Sequence, residues 1–193
     1  MHKLSRDQLL TLESYARQRK DFRARVMAHK KRRSVHLGEH MTLLFEDRLT
    51  IQYQVQEMLR VERIFEPEGI ADELDAYNPL IPDGHNLKAT LLIEYPDIDE
   101  RQRALSALRG IEDVILLRVA GQAAVTAIAD EDLERSNASK TSAVHFLRFE
   151  LTPAMIAAWK SGAMVTLAVD HPAYNARVEL DAGTRAALAA DFA

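Results

Sequence analysis

The sequence has no cysteine, a single tryptophan, and only 7 glycines and 6 prolines in 193 residues. Each scarcity removes a class of protein. Without thiols there is no disulfide scaffold, no thiolate ligand for zinc or an iron–sulfur cluster, and no cysteine nucleophile. Sparse glycine and proline exclude fibrous and low-complexity chains, and glycine is too rare for a dinucleotide-binding turn. Neither a P-loop nor a G-x-S-x-G nucleophile elbow occurs, and no other catalytic motif assigns a reaction. The apolar runs, such as Leu91-Leu92-Ile93 and Val114-Ile115-Leu116-Leu117, are far too short to cross a bilayer. Met1 to Arg6 lead into a charged, helix-like stretch with no apolar signal core, so a cytoplasmic protein without membrane attachment is expected.

What is present is the balance of a globular domain, 47% hydrophobic and 28% charged, in a chain long enough to bury its own core. The net charge of −4 conceals a division. Residues 1–33 carry 11 Lys+Arg against 3 Asp+Glu, a balance of +8; residues 34–193 carry 14 against 26, a balance of −12. A basic arm on an acidic body can lie against that body, in the same or a second copy, or engage an anionic partner.

Ser5 as N-cap with Leu9, Leu10, Leu12 and Ala16 predicts a helix over 6–18, and Asp21 starts a second that closes at Lys30-Lys31-Arg32-Arg33. Two short strands, 34–37 and 40–45, flank Gly38. Asp47 caps a helix over 48–66 with a polar arc of Arg48, Gln52, Gln56, Arg60 and Arg63. Pro67 opens another helix, and 79–84 is a turn-rich connection. Strands follow at 87–95, 114–119, 123–129, 143–151, 165–169 and 177–180, with helices at 97–109, 153–160 and 184–191. This predicts an α+β fold: a helical, basic N-terminal third packed on a mainly antiparallel sheet with short helices. The subdomains are 1–84 and 85–193, joined in one compact unit.

Three groups are candidate sites. Glu57 and Glu62 fall inside the apolar arc of the long helix, where a carboxylate must be paired, protonated or metal-bound. Arg60 and Phe65 follow them three residues later, so the Glu-x-x-His motif of carboxylate di-iron bundles is absent, and neutralisation by arginine is the favoured reading. His36 and His40 flank the Gly38 turn, His145 lies on the core-facing side of its strand, and His171 sits at a strand end. With Glu57 and Glu62, the residues His145, His40 and His171 form the set from which a site for iron, zinc or manganese would have to be built, although no metal-binding spacing supports it. Lys30, Lys31, Arg32 and Arg33 are the candidate interaction residues. With only Tyr15 and Phe22 among the charges of the arm, a protein surface suits them better than nucleic acid.

Five stretches also carry a resemblance: 28–33 (AHKKRR), 43–50 (LLFEDRLT), 54–60 (QVQEMLR), 77–84 (YNPLIPDG) and 140–151 (KTSAVHFLRFEL). Together, in this order, they resemble the bacterial family catalogued as domain of unknown function 3501. That family has no established activity and no catalytic residues to carry over. The resemblance implies a redox or oxidative-stress setting, because its members tend to be encoded beside a rubrerythrin-like di-iron protein and a cysteine-rich iron–sulfur oxidoreductase. The expected function is therefore that of an accessory protein that binds a partner from such a system, or a second copy of itself. The alternative is a metal- or cofactor-dependent protein using the His/Glu set.

Overall fold

The computed structural model describes residues 3–193; Met1 and His2, where the stretch read for a leader begins, lie outside the described residues. The first helix, α1 (Leu12–Lys30), runs unbroken through Asp21, replacing the two helices expected. Nothing between Leu12 and Lys30 is glycine or proline, and most positions are good helix formers. Ser5 heads only a 3-10 turn at Arg6–Gln8. The cap of α1 is Thr11, whose hydroxyl accepts from the Ser14 amide at 3.2 Å. A hairpin of β1 (Ser34–His36) and β2 (Met41–Glu46) follows. Asp47 then caps α2 (Arg48–Glu62), accepting from the Leu49 and Thr50 amides at 3.0 and 2.9 Å. Left-handed Arg63 ends α2 four residues earlier than the pattern predicted, and α3 (Pro67–Tyr77) begins with proline in its first turn.

The remainder is β3 (Asn86–Ile93), α4 (Ile98–Ala107), β4 (Ile115–Val119), β5 (Val125–Thr126), β6 (Ile128–Ala129), β7 (Val144–Glu150), α5 (Pro153–Lys160), β8 (Val165–His171), β9 (Tyr174–Glu179) and α6 (Ala182–Ala189). Two sheets form, in the orders β1-β2-β3-β7-β6 and β5-β4-β8-β9, with every pairing antiparallel. The α+β class stands. The strand expected over 123–129 is divided: β5 pairs with β4 in one sheet and β6 with β7 in the other. Between them Ala127 is buried, its amide bonded to the Ile115 carbonyl at 2.8 Å.

The inner faces of the two sheets share one core. Leu43, Phe45, Leu87, Leu91, Leu147 and Phe149 from the first meet Ile115, Leu117, Val165, Leu167 and Val169 from the second. Each is a residue of strict alternation along its strand, and each buried side chain of this size contributes on the order of 2 kcal/mol. A smaller apolar cluster of Leu4, Ile51, Val55, Leu59, Leu74 and Ile81 holds the N-terminal helices together. On α2 the polar arc read from the sequence is partly internal: Gln56 is fully buried, accepting from the Leu10 amide at 2.6 Å and donating to the Leu10 carbonyl at 3.2 Å. It satisfies a bend in the chain ahead of α1 that periodicity does not reveal.

Candidate functional site

The two carboxylates singled out on α2 have separate fates. Glu57 faces α1, where Arg19 binds it through Nε and Nη2 at 2.7 and 2.8 Å, Tyr15 donates its hydroxyl at 2.6 Å, and Arg60 donates at 3.1 Å. The Arg19 hydrogen bonds, opposed by burial, hold its carboxyl down at about 2. Glu62 is exposed and joins no such cluster. Arginine of the basic arm thus neutralises Glu57, and the pair does not converge. Because the folded-state value lies below that of a free carboxyl, the stabilisation is complete above about pH 4.5 and vanishes as pH falls through about 2. Glu57→Gln is expected to lose about 2 kcal/mol in urea unfolding near neutral pH, with the difference from the parent shrinking steadily under acid.

The basic run at the end of α1 also divides. Arg33 is 1% exposed. It donates to the Phe45, Glu46 and Ala187 carbonyls at 3.0, 3.2 and 3.0 Å, and its Nη2 binds the Asp191 carboxylate. Burial raises the Asp191 carboxyl to about 6, against the opposing pull of Arg33. Beside them the His29 ring meets Asp47 at 2.5 Å, and Arg33 Nη1 lies 3.7 Å from the same carboxylate. This node ties the end of α1 to β2, to the cap of α2 and to the C-terminal segment. Arg33, expected on an interaction surface, is instead an internal tie. Lys30 is half-buried over the Tyr53 ring, while Lys31 and Arg32 are exposed.

What remains of the arm is an open cationic face. Only Tyr15 and Val26 of α1 are buried, and Arg17, Lys20, Arg23 and Arg25 join Lys31 and Arg32 at the surface. Among them the acidic residues are Glu13, which pairs with Arg17 at 2.8 Å, and Asp21. The face therefore keeps a net positive charge over the whole length of the helix.

The histidines are dispersed. His40 stacks on Tyr95 with centroids 3.9 Å apart, and its Nδ1 donates to the Glu94 carbonyl at 3.2 Å. His36, in the same cleft, binds the Thr42 hydroxyl at 3.1 Å, and Thr42 in turn donates to Glu94 at 2.8 Å. Gly38 makes the turn between them at φ +76; a side chain there would strike Tyr174, whose hydroxyl closes the turn by donating to the Leu37 carbonyl. His171 clamps backbone, with Nε2 donating to the Arg109 carbonyl and Nδ1 accepting from the Ala173 amide, both at 3.1 Å.

Among the described histidines, His145 alone is fully buried, in a polar network. Its Nδ1 meets Asp130 at 2.6 Å, and its Nε2 meets the Thr141 hydroxyl at 2.9 Å and the Ser142 carbonyl at 3.1 Å. Thr141 continues to Glu112 at 3.1 Å and Ser136 at 2.9 Å, and Ser136 also donates to Glu112. Asp130 takes the left-handed conformation at φ 50, which Asp tolerates, and accepts from the Phe146 amide at 3.0 Å and from Arg135 at 3.2 Å. Ser136 and both carboxylates border a polar cleft of about 590 Å³. Asp130, Ser136 and Thr141, on the irregular loop between β6 and β7, and Glu112, in the 3-10 turn before β4, escaped the sequence reading because they have no motif spacing; the core-facing register of His145 was the one available signal.

Glu57, Glu62, His145, His40 and His171 thus occupy five separate places. Among the described residues, no three His, Asp or Glu side chains form a group able to hold a metal ion. The family described as "Protein of unknown function (DUF3501)" matches residues 3–192. The chain belongs to this family. It is also similar to a crystal structure of a protein of unknown function from Burkholderia pseudomallei K96243, with 56% identity over 100% of both chains and a TM-score of 0.95. No curated protein matches it. Membership fits the collinear stretches noted above, and no described helix is long and apolar enough to cross a membrane.

Proposed function

We propose that this protein is a non-catalytic accessory factor that docks an acidic protein surface with the outer face of α1. The observation that carries this reading is the exposure of Arg17, Lys20, Arg23 and Arg25 along α1, and of Lys31 and Arg32 in the turn that follows it, while the structural cations of the arm, Arg19 and Arg33, are already bound internally. The surface cations left over have no comparable fold-stabilising partners, and their field suits steering of an acidic partner. The partner is drawn from the redox setting that the family resemblance implies, a rubrerythrin-like or iron–sulfur protein. With no thiols of its own, the chain would contribute docking or regulation there. The metal-dependent alternative requires His145, His40, His171 and the glutamates to act together, and their dispersal gives it no support.

The test is capture from the native host at low and at physiological salt. Recovery of an acidic redox protein, weakened by salt, is expected. Reversing Lys20, Arg23, Lys31 and Arg32 to glutamate should weaken capture at least about tenfold, mainly through association, while leaving unfolding midpoints nearly unchanged. Capture insensitive to both salt and charge reversal would place the binding surface elsewhere. Recovery only of nucleic acid, or only of a second copy of the chain, would replace the proposed partner.

A further inference from the structure

A cleft of about 680 Å³ opens between the end of α3, the turn at Asn78–Leu80 and the outer face of β3 and β7. Tyr77, Leu80 and Phe146 supply apolar wall, and Lys88 lines it from the middle strand of that face. Lys88 is half-buried, and its register neighbours are Glu46 on β2 and Arg148 on β7. Neither neutralises it. Glu46 is engaged by the Thr90 hydroxyl at 2.9 Å. Arg148 carries the same charge as Lys88 and is held by Glu131 through two bonds of 2.8 Å, and by Glu150. Among the described residues no hydrogen bond or ion pair reaches the Lys88 ammonium. Burial lowers its proton affinity below the usual lysine range, and the charge of Arg148 acts in the same direction, against the opposing pull of the Glu131 and Asp83 carboxylates.

A half-buried amine beside apolar walls, next to the like charge of Arg148 and with no carboxylate in hydrogen-bonding contact, is suited to nucleophilic attack on carbonyl carbon. We infer that this cleft is a carbonyl-binding site in which Lys88 condenses reversibly with a small, uncharged, apolar aldehyde or ketone. The Nζ lone pair forms the C–N bond, the π pair moves to the carbonyl oxygen, and that oxygen departs as water with the two amine hydrogens, leaving an imine. No oxidant or reductant is consumed. A neutral ligand fits better than an anion because Glu73, Asp75 and Asp132 also line the cleft and would repel negative charge. This site is independent of the α1 surface.

The intact protein, incubated with benzaldehyde and cyanoborohydride near neutral pH, should be benzylated at Lys88 about tenfold faster than at the exposed Lys20, Lys31 and Lys140, as located by peptide mass mapping. Lys88→Arg keeps the positive charge and should abolish only the fast phase, leaving the rates at Lys20 and Lys31 unchanged. Modification of Lys88 in the parent protein at or below the rate of the exposed lysines would overturn the proposal. So would a fast phase that survives in Lys88→Arg.

Discussion

Replacing Arg33 with methionine is expected to destabilise the fold by about 3–5 kcal/mol, the usual penalty for removing one partner of a buried ion pair. The substitution keeps much of the side-chain volume, so the loss reports on charge and hydrogen bonding rather than on a cavity. Three backbone carbonyls lose a donor, and Asp191, 3% exposed, loses its counter-charge. A buried carboxyl in that position takes up a proton rather than remain ionised. The sign follows: a carboxyl raised above its unfolded value weakens the native state as pH rises; in the parent that loss ends near pH 6, and without Arg33 it continues, so the deficit should grow as pH rises above about 6. Urea unfolding at several pH values would measure both effects. Arg33→Met combined with Asp191→Leu should recover much of the stability, because a fully apolar replacement of a buried pair is often close to neutral. A loss below about 1 kcal/mol, the ordinary range for a surface arginine, would show that Arg33 does not hold the C-terminal segment in place.

His145→Leu should be of similar size, about 3–5 kcal/mol, for a related reason. The ring bridges Asp130, 2.6 Å from Nδ1, and the Thr141–Glu112–Ser136 group on Nε2, and no water-exposed route replaces it at 0% exposure. Leucine fills most of the space but leaves the Asp130 and Thr141 side chains short of a partner. Asp130→Asn is the informative companion. It keeps shape and the capacity to accept from the Phe146 amide while removing the charge that faces His145 and Arg135, so a smaller loss is expected. Hydrogen exchange should show the loop between β6 and β7 losing protection in His145→Leu before the shared sheet core does. Equal loss of protection throughout would mean that the network stabilises the whole fold and not this loop.

How far these features could be read in advance depended on whether their cause was local. The Asp47 cap, the Gly38 hairpin and the alternation of β3 and β7 follow from neighbouring residues, and each was legible. The pairing of Glu57 with arginine was legible too, because a carboxylate in an apolar arc leaves few physical options. Gln56 and Arg33 were misplaced for the opposite reason. Both are polar residues on elements that look amphipathic, and both are buried by partners far away in sequence: Leu10 for one, Ala187 and Asp191 for the other. Residues 123–129 fit a strand pattern, but periodicity does not say with which sheet a strand pairs, and this segment serves both.

The missing thiols and the split of charge were settled by the sequence alone, since composition does not depend on how the chain folds. So was the family, whose stretches are collinear along the whole chain. Only the tertiary structure decided how the charge is used. Of the cations in the basic arm, Arg19 and Arg33 serve the fold itself, through Glu57 and Asp191, and six others face outward, four along α1 and two in the turn after it. Likewise it set Lys88 apart from the other lysines, by placing it in an apolar-walled cleft beside a like charge. Sequence counts a charge identically wherever it lies, whereas burial and counter-charge, which decide what that charge can do, exist only once the chain is packed.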